Sequence, residues 1–347
     1  MCKNVLERLA VGGELTSIEY LELIRRRDEM RDLAAELARE KRGKYYGNQI
    51  YIRGLIEFTN VCCNNCYYCG LRSGNVKCER YRLMPDEILD CAAQGYALGF
   101  RTFVLQGGED PFYTDDVLCG IVGNIKRSHP DCAVTLSVGE RSDRSYELLR
   151  AAGADRYLLR HETSNKAHYE KLHPAEMSFD NRMRCIRTLK ALGYQVGIGF
   201  MVGSPYQTLE DLANEMTFIR EMRPQMVGIG PFIPHKDTPF RDEPAGTAEL
   251  TTFLLSLIRL TLPDVLLPAT TALGTVDPKG REKGIIAGAN VVMPNLSPAG
   301  VRGKYLLYDN KICTGDEAAQ CIECLKMRIK TTGCEIVTDR GDHAGRR

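Results

Sequence analysis

The sequence predicts an α/β protein built as a closed (β/α)8 barrel of the TIM type. Three observations carry this prediction. Eight short apolar runs alternate with amphipathic stretches from residue 50 to about residue 295, the pattern of a parallel sheet covered by helices. A count of eight fits a closed barrel, which typically needs about 250 residues. An open dinucleotide-binding sheet would place G-x-G-x-x-G after its first strand, and this chain has a cysteine cluster there instead.

The elements follow in order. Residues 1–45 read as an N-terminal helical layer, with Thr16 and Glu19 forming a T-x-x-E capping box ahead of a periodic apolar stretch. Strands are expected at 50–58, 102–106, 133–138, 156–159, 196–202, 226–230, 265–268 and 290–293. Helices are expected at 85–98, 115–127, 143–152, 178–192, 208–222 and 246–261. Pro85 suits a first helical turn, and Thr208 with Asp211 reads as an N-cap with a reaching acid. The barrel spans 46–295, and 296–347 is a C-terminal extension whose polar end, from about residue 338, is expected to fray.

Composition narrows the function. Forty-six basic and 45 acidic residues leave a net charge of +1, which gives no support to a nucleic-acid groove or an anionic membrane surface. No apolar run approaches the roughly 18 residues that span a bilayer. The start, Met1-Cys2-Lys3-Asn4, leads into polar sequence and not a signal-peptide core, so a cytoplasmic location is expected. Fourteen cysteines in a chain without an export signal point to metal or redox chemistry. Cys91, Cys119, Cys132 and Cys185 stand singly in apolar segments and read as small buried hydrophobes.

The densest cysteine group follows the first strand: Asn60-Val61-Cys62-Cys63-Asn64-Asn65-Cys66-Tyr67-Tyr68-Cys69-Gly70. Loops at the C-terminal ends of barrel strands carry the active site in this architecture. Three thiolates on one loop can hold three corners of an iron–sulfur cube, leaving one iron open. Four sulfurs can also hold zinc, although the adjacent Cys62 and Cys63 are awkward co-ligands. Cys62-x3-Cys66-x2-Cys69, with an aromatic before the last cysteine, resembles the motif of radical S-adenosylmethionine (SAM) enzymes. That resemblance implies the radical SAM fold, a 4Fe-4S cluster on Cys62, Cys66 and Cys69, SAM chelated to the open iron, and a 5′-deoxyadenosyl radical. It also implies that Cys63 is spare and that Tyr68 lies over the cluster with its backbone near adenine.

The other strand ends agree. Gly107-Gly108-Glu109 after the second strand resembles the family's GGE segment, which binds the SAM amino group; alone, such a segment is more often a plain turn. Arg160 and Glu162 follow the fourth strand so closely that each needs a partner or water. They read either as an ion pair at the barrel rim or as a ligand clamp, since arginine suits a carboxylate. Glu162 and Arg182 are candidates for holding SAM, with Arg182 near its carboxylate, and the segment with Ile229 and Phe232 resembles an adenine-contact segment. Thr135, Thr270, Thr271, Met293, Tyr305 and Tyr308 are candidates for a mixed pocket wall, or for ordinary packing.

A second triad, Cys313-x7-Cys321-x2-Cys324, reads as an accessory iron–sulfur site, a small zinc site or unused thiols, with Cys334 as a candidate fourth ligand. Together with segments 157–163, 226–235 and 268–272, it narrows the resemblance to the HydE family of FeFe-hydrogenase maturases, in the biotin synthase-like branch. The resemblance implies radical chemistry in H-cluster assembly on a cysteine-bound iron carbonyl cyanide complex, with Arg160 clamping its carboxylate and the wall residues lining its pocket. It further implies a HydG-type maturase as donor, a HydF-type GTPase scaffold as acceptor, and ferredoxin or flavodoxin as reductant. Methylornithine synthase and biotin synthase are the neighbouring alternatives; a non-catalytic cluster or zinc scaffold is the alternative of another class.

Overall fold

The computed structural model describes residues 2–314 and 322–346. Three helices open the chain, α1 (Cys2–Ala10), α2 (Ser17–Arg25) and α3 (Arg27–Tyr46). The capping box forms: Thr16 Oγ1 accepts the Glu19 N–H at 3.3 Å, and the Glu19 carboxylate accepts the Thr16 N–H at 2.9 Å. Strands β1 (Gln49–Ile52), β2 (Gly54–Thr59), β3 (Thr102–Gly107), β4 (Ala133–Ser137) and β5 (Arg156–Leu158) follow, interleaved with α4 (Pro85–Ala97), α5 (Asp115–Ser128) and α6 (Asp143–Ala151). Then come α7 (Lys166–Leu172), α8 (Phe179–Ala191), β6 (Gln195–Ile198), β7 (Met201–Val202), α9 (Leu209–Met222), β8 (Met226–Val227) and β9 (Gly230–Pro231). The chain continues through α10 (Ala248–Thr261), α11 (Thr271–Val276), α12 (Gly280–Ile286), β10 (Val291–Val292), α13 (Ala299–Arg302), α14 (Ile322–Lys330) and β11 (Glu335–Val337).

Six strands pair in parallel in the order β2-β3-β4-β5-β6-β8. Single bridges carry the ring to closure. The Val227 N–H donates to Leu266 O at 3.1 Å and the Ala269 N–H to Val291 O at 2.9 Å. The Leu55 N–H donates to Pro294 O at 2.9 Å, returning to β2. Eight runs therefore close a ring, as the strand count predicts. The outer helices bury one face, and α2 and α3 pack on α9 and α10.

Three expected strands are split, the sixth into β8 and β9. The first breaks at Arg53, so that β1 pairs with β10 and β11 while β2 pairs with β3. The fifth breaks after β6, where a Cβ on Gly199 would lie 1.9 Å from the Gly228 carbonyl oxygen. Only glycine permits that approach, and β7 leaves to pair with β9.

The expected fraying of the C-terminus is wrong. The tail runs across the base of the barrel. Arg156, fully buried at the start of β5, donates to Thr102 Oγ1 (2.9 Å), Arg340 O (2.8 Å) and Asp342 Oδ1 (2.7 Å). Gln195 Nε2 donates to Asp342 at 2.8 Å, and Arg340 pairs with Asp155 at 3.0 Å. Polar residues at the strand starts need partners when buried, and the tail supplies them. Burial pushes the Asp342 carboxyl up, but Arg156, Gln195 and Arg340 outweigh it and hold it well below the usual carboxylate range.

Asp342→Asn leaves the Arg156 charge without its anion and is expected to cost about 3 kcal/mol at pH 7 by urea denaturation. The depressed carboxyl contributes stability that is present above the unfolded pKa and lost as pH falls toward the folded one. The gap between native chain and variant should therefore narrow only below about pH 4; equal stability at pH 7 contradicts the tail's role.

Candidate active site

β2 ends at Thr59 and the chain turns into the cysteine loop. The loop folds on itself, with the Ser73 N–H on Asn64 O (2.8 Å) and the Arg72 N–H on Cys69 O (3.1 Å). The end of β3 is stapled to it: the Cys63 N–H donates to Glu109 O at 2.9 Å, and the Glu109 N–H points at Cys62 Sγ at 3.4 Å. A Cβ on Gly108 would lie 2.2 Å from Val61 O and 2.6 Å from Cys62 Cβ. The second glycine of Gly107-Gly108-Glu109 is thus required by close approach to the cysteine loop, which a plain turn would not demand.

Cys66 and Cys69 line a cavity of about 290 Å³ at the C-terminal mouth of the barrel. Burial pushes both thiols up, Cys69 to about 12 and Cys66 further, with Cys69 adding to the Cys66 shift. Neutral thiols in such a place ionise when a cation is brought to them, which suits a metal–sulfur group. Cys62 is half-buried near them, while Cys63 is exposed. Tyr68 also lines the cavity, and its hydroxyl lies 3.2 Å from His173 Nε2. Burial pushes His173 down to about 3, so the ring is neutral near pH 7. Its Nδ1 faces the Tyr169 carbonyl at 2.9 Å and must carry the proton; Nε2 then accepts from Tyr68.

Arg160, Glu162 and Arg182 share this wall with Gly107, Thr270, Tyr305 and Tyr308. Arg160 pairs with Glu162 at 3.0 Å. Glu162 has φ +65, a left-handed conformation that is uncommon for a side-chain-bearing residue. Arg182 pairs with Glu140 at 2.5 Å and donates to Arg160 O at 2.8 Å. The Glu109 carboxylate sits against Gly139 and accepts the Glu140 N–H at 2.9 Å; burial pushes it up. A deeper cavity of about 120 Å³ adds Thr135, Met293 and Arg53, and shares Gln106, Leu158, Arg160 and Thr270 with the upper one. The Thr135 hydroxyl is buried and has no hydrogen-bond partner among the described residues.

Of the expected site residues, Cys62, Gly108, Glu109, Ile229, Phe232 and Thr271 line neither cavity. Thr271 sits in the first turn of α11, where its hydroxyl accepts from Arg281 at 3.3 Å. Ile229 packs into the main core, and Phe232 packs behind Tyr67 and Tyr68 with Leu172, Met201 and Phe240. Of the second triad, Cys321 lies outside the described residues. Cys313 Sγ is 3.4 Å from Arg281, and Cys324 is exposed. Cys334 is buried against Arg42 at 3.0 Å. Cys91, Cys132 and Cys185 are buried as expected, whereas Cys119 is only partly so.

The sequence reading missed the support of the tyrosine wall. Glu57, 1% exposed on β2, pairs with Lys311 at 2.6 Å. Lys311 also donates to Tyr305 O at 2.8 Å, and Gln106 Nε2 reaches the Tyr305 hydroxyl at 3.3 Å. A carboxylate between Ile56 and Phe58, in a strand buried throughout, was the available signal.

A family model described as the Radical SAM superfamily matches residues 56–219. The chain is 46% identical to the FeFe hydrogenase maturase subunit HydE of Thermotoga maritima over 342 residues, covering 94% of this chain and 97% of the relative. It is 29% identical to 3-methylornithine synthase of Methanosarcina barkeri, covering 85% and 83%. A solved methylornithine synthase superposes with TM-score 0.80 at 24% identity, covering 96% of this chain and 97% of that one. HydG from Carboxydothermus hydrogenoformans superposes with TM-score 0.79 at 20% identity, covering 97% and 79%. These two show a shared fold.

The closed barrel and its cysteine loop define a radical SAM enzyme, a class that implies a 4Fe-4S cluster and SAM. Within that class the chain belongs to the HydE family of FeFe-hydrogenase maturases.

Lys311→Met leaves Glu57 buried and unpaired, and is expected to cost about 3–5 kcal/mol by urea denaturation. The double variant Glu57→Gln/Lys311→Met should recover most of that loss; a double variant no more stable than the single one contradicts the pairing.

Proposed function

We propose that Cys62, Cys66 and Cys69 hold the cluster, and that the two adjacent cavities receive SAM above and the substrate below. When bound, the cluster and SAM supply a 5′-deoxyadenosyl radical. The substrate is a cysteine-bound iron carbonyl cyanide complex from a HydG-type maturase, and the reaction class is carbon–sulfur bond cleavage. Two equivalents of the cleaved complex combine into a diiron product that passes to a HydF-type GTPase scaffold, and a ferredoxin or flavodoxin supplies electrons, all in the cytoplasm. The observation that carries this reading is the adjacency of the two cavities, which share Gln106, Leu158, Arg160 and Thr270 as lining.

The roles follow from the contacts. Arg160 already binds one carboxylate, Glu162, and offers its fork to a substrate carboxylate at the junction of the cavities. Glu109 and Glu162 accept from the SAM amino group. Arg182, held by Glu140, fixes the Arg160 backbone and brings positive charge to the SAM carboxylate. Thr135, Thr270, Met293, Tyr305 and Tyr308 shape the substrate wall. Tyr68, locked by His173, covers the cluster. Burial keeps water from a reactive carbon radical.

The biotin synthase alternative asks for a further cysteine inside the barrel; Cys132 and Cys185 lie outside both cavities. Cys313, Cys321 and Cys324 are proposed as an accessory iron–sulfur site that the main reaction does not need.

Arg160→Ala is expected to lower hydrogenase maturation by about 10²-fold or more while SAM cleavage without substrate persists. Full maturation by this variant, read as hydrogenase activity in a defined maturation mixture, overturns the clamp.

A further inference from the structure

Arg80 lies between the cysteine loop and α4 and belongs to neither cavity wall. Its Nη1 donates to the carbonyls of Asn60 (2.6 Å) and Leu71 (2.8 Å). Its Nη2 donates to the carbonyls of Arg72 (2.7 Å) and Asn75 (3.2 Å). Asn60 stands just before Val61-Cys62, and Leu71 just after Cys69-Gly70. One half-buried guanidinium therefore grips both ends of the segment that carries all three thiols. The planar fork makes this geometry, and a lysine ammonium cannot reproduce it.

Asn60 reinforces the clip. Its amide nitrogen donates to Glu79 O (2.8 Å) and Lys304 O (2.7 Å), and its oxygen accepts the Tyr81 N–H at 2.7 Å. The strap 79–81 is thereby fixed against the end of β2, with Arg80 aimed inward. A loop closed in this way has less conformational freedom to lose when it gathers its ligands.

We propose that Arg80 is a positioning residue for the iron–sulfur cluster: it holds the loop from Cys62 to Cys69 in its ligating shape, and its positive charge favours the reduced cluster. The proposal rests on the reading of Cys62, Cys66 and Cys69 as ligands. Reduction adds one negative charge, so a nearby cation raises the potential.

The test uses the full chain, reconstituted with iron and sulfide without air, as wild type, Arg80→Met and Arg80→Lys. Iron loss to a chelator and the EPR-monitored midpoint potential are measured, and thermal melting of the apo-proteins controls for folding. Arg80→Met is expected to lose iron about tenfold faster and to have a more negative midpoint. Arg80→Lys should restore the midpoint without restoring retention. If Arg80→Met does not fold, the lysine variant alone carries the retention test. Retention equal to wild type in the folded variants overturns the positioning role, and an unchanged midpoint in Arg80→Met overturns the charge role. A wild-type chain that takes up no cluster overturns the ligand reading itself, and the proposal with it.

Discussion

The carboxylate of Glu57 is buried on the first strand of the ring, and the wall and closure of the barrel are organised around it. Lys311 neutralises it, Asn295 donates to its second oxygen at 2.8 Å, and its own N–H donates to Ser297 Oγ at 2.8 Å. Asn295 and Ser297 belong to the segment that closes the ring against Leu55. Lys311 fixes the chain that carries Tyr305 and Tyr308 to the cavity. An unpaired buried carboxylate costs several kcal/mol, so one acid on β2 dictates where residues some 240 positions later must stand.

The same rule governs both ends of the barrel. At the mouth, Arg182 pairs with Glu140 and Arg160 with Glu162, and Arg182 links the two pairs by donating to the Arg160 carbonyl. At the base, the tail brings Asp342 to Arg156. Between them lie the two cavities. Chemistry that generates a carbon radical needs a bounded space, because the weaker S–H and C–H bonds of stray side chains would quench the radical.

The alternation of strands and helices made the barrel legible, and the spacing Cys62-x3-Cys66-x2-Cys69 made the family of the cysteine loop legible. Both signals are local and periodic. What stayed hidden depends on distant parts of the chain. Arg53 breaks the first strand because β1 has its own partners in β10 and β11. The tail looked like a frayed end because its polar residues find buried partners only once the barrel exists. Thr271 looked like a neighbour of Thr270 on the wall, but helix geometry turns consecutive residues to different faces. Glu57 was legible in principle, as a charge inside an apolar strand, but its partner Lys311 was not.

All of the chemistry proposed for this barrel depends on an iron–sulfur cluster with an iron open to SAM. Anaerobic EPR of the reconstituted, reduced chain, with and without SAM, tests it most directly. A 4Fe-4S signal that changes when SAM is added is the predicted result. An intact cluster whose signal ignores SAM, or a chain that binds zinc and no cluster, would contradict it.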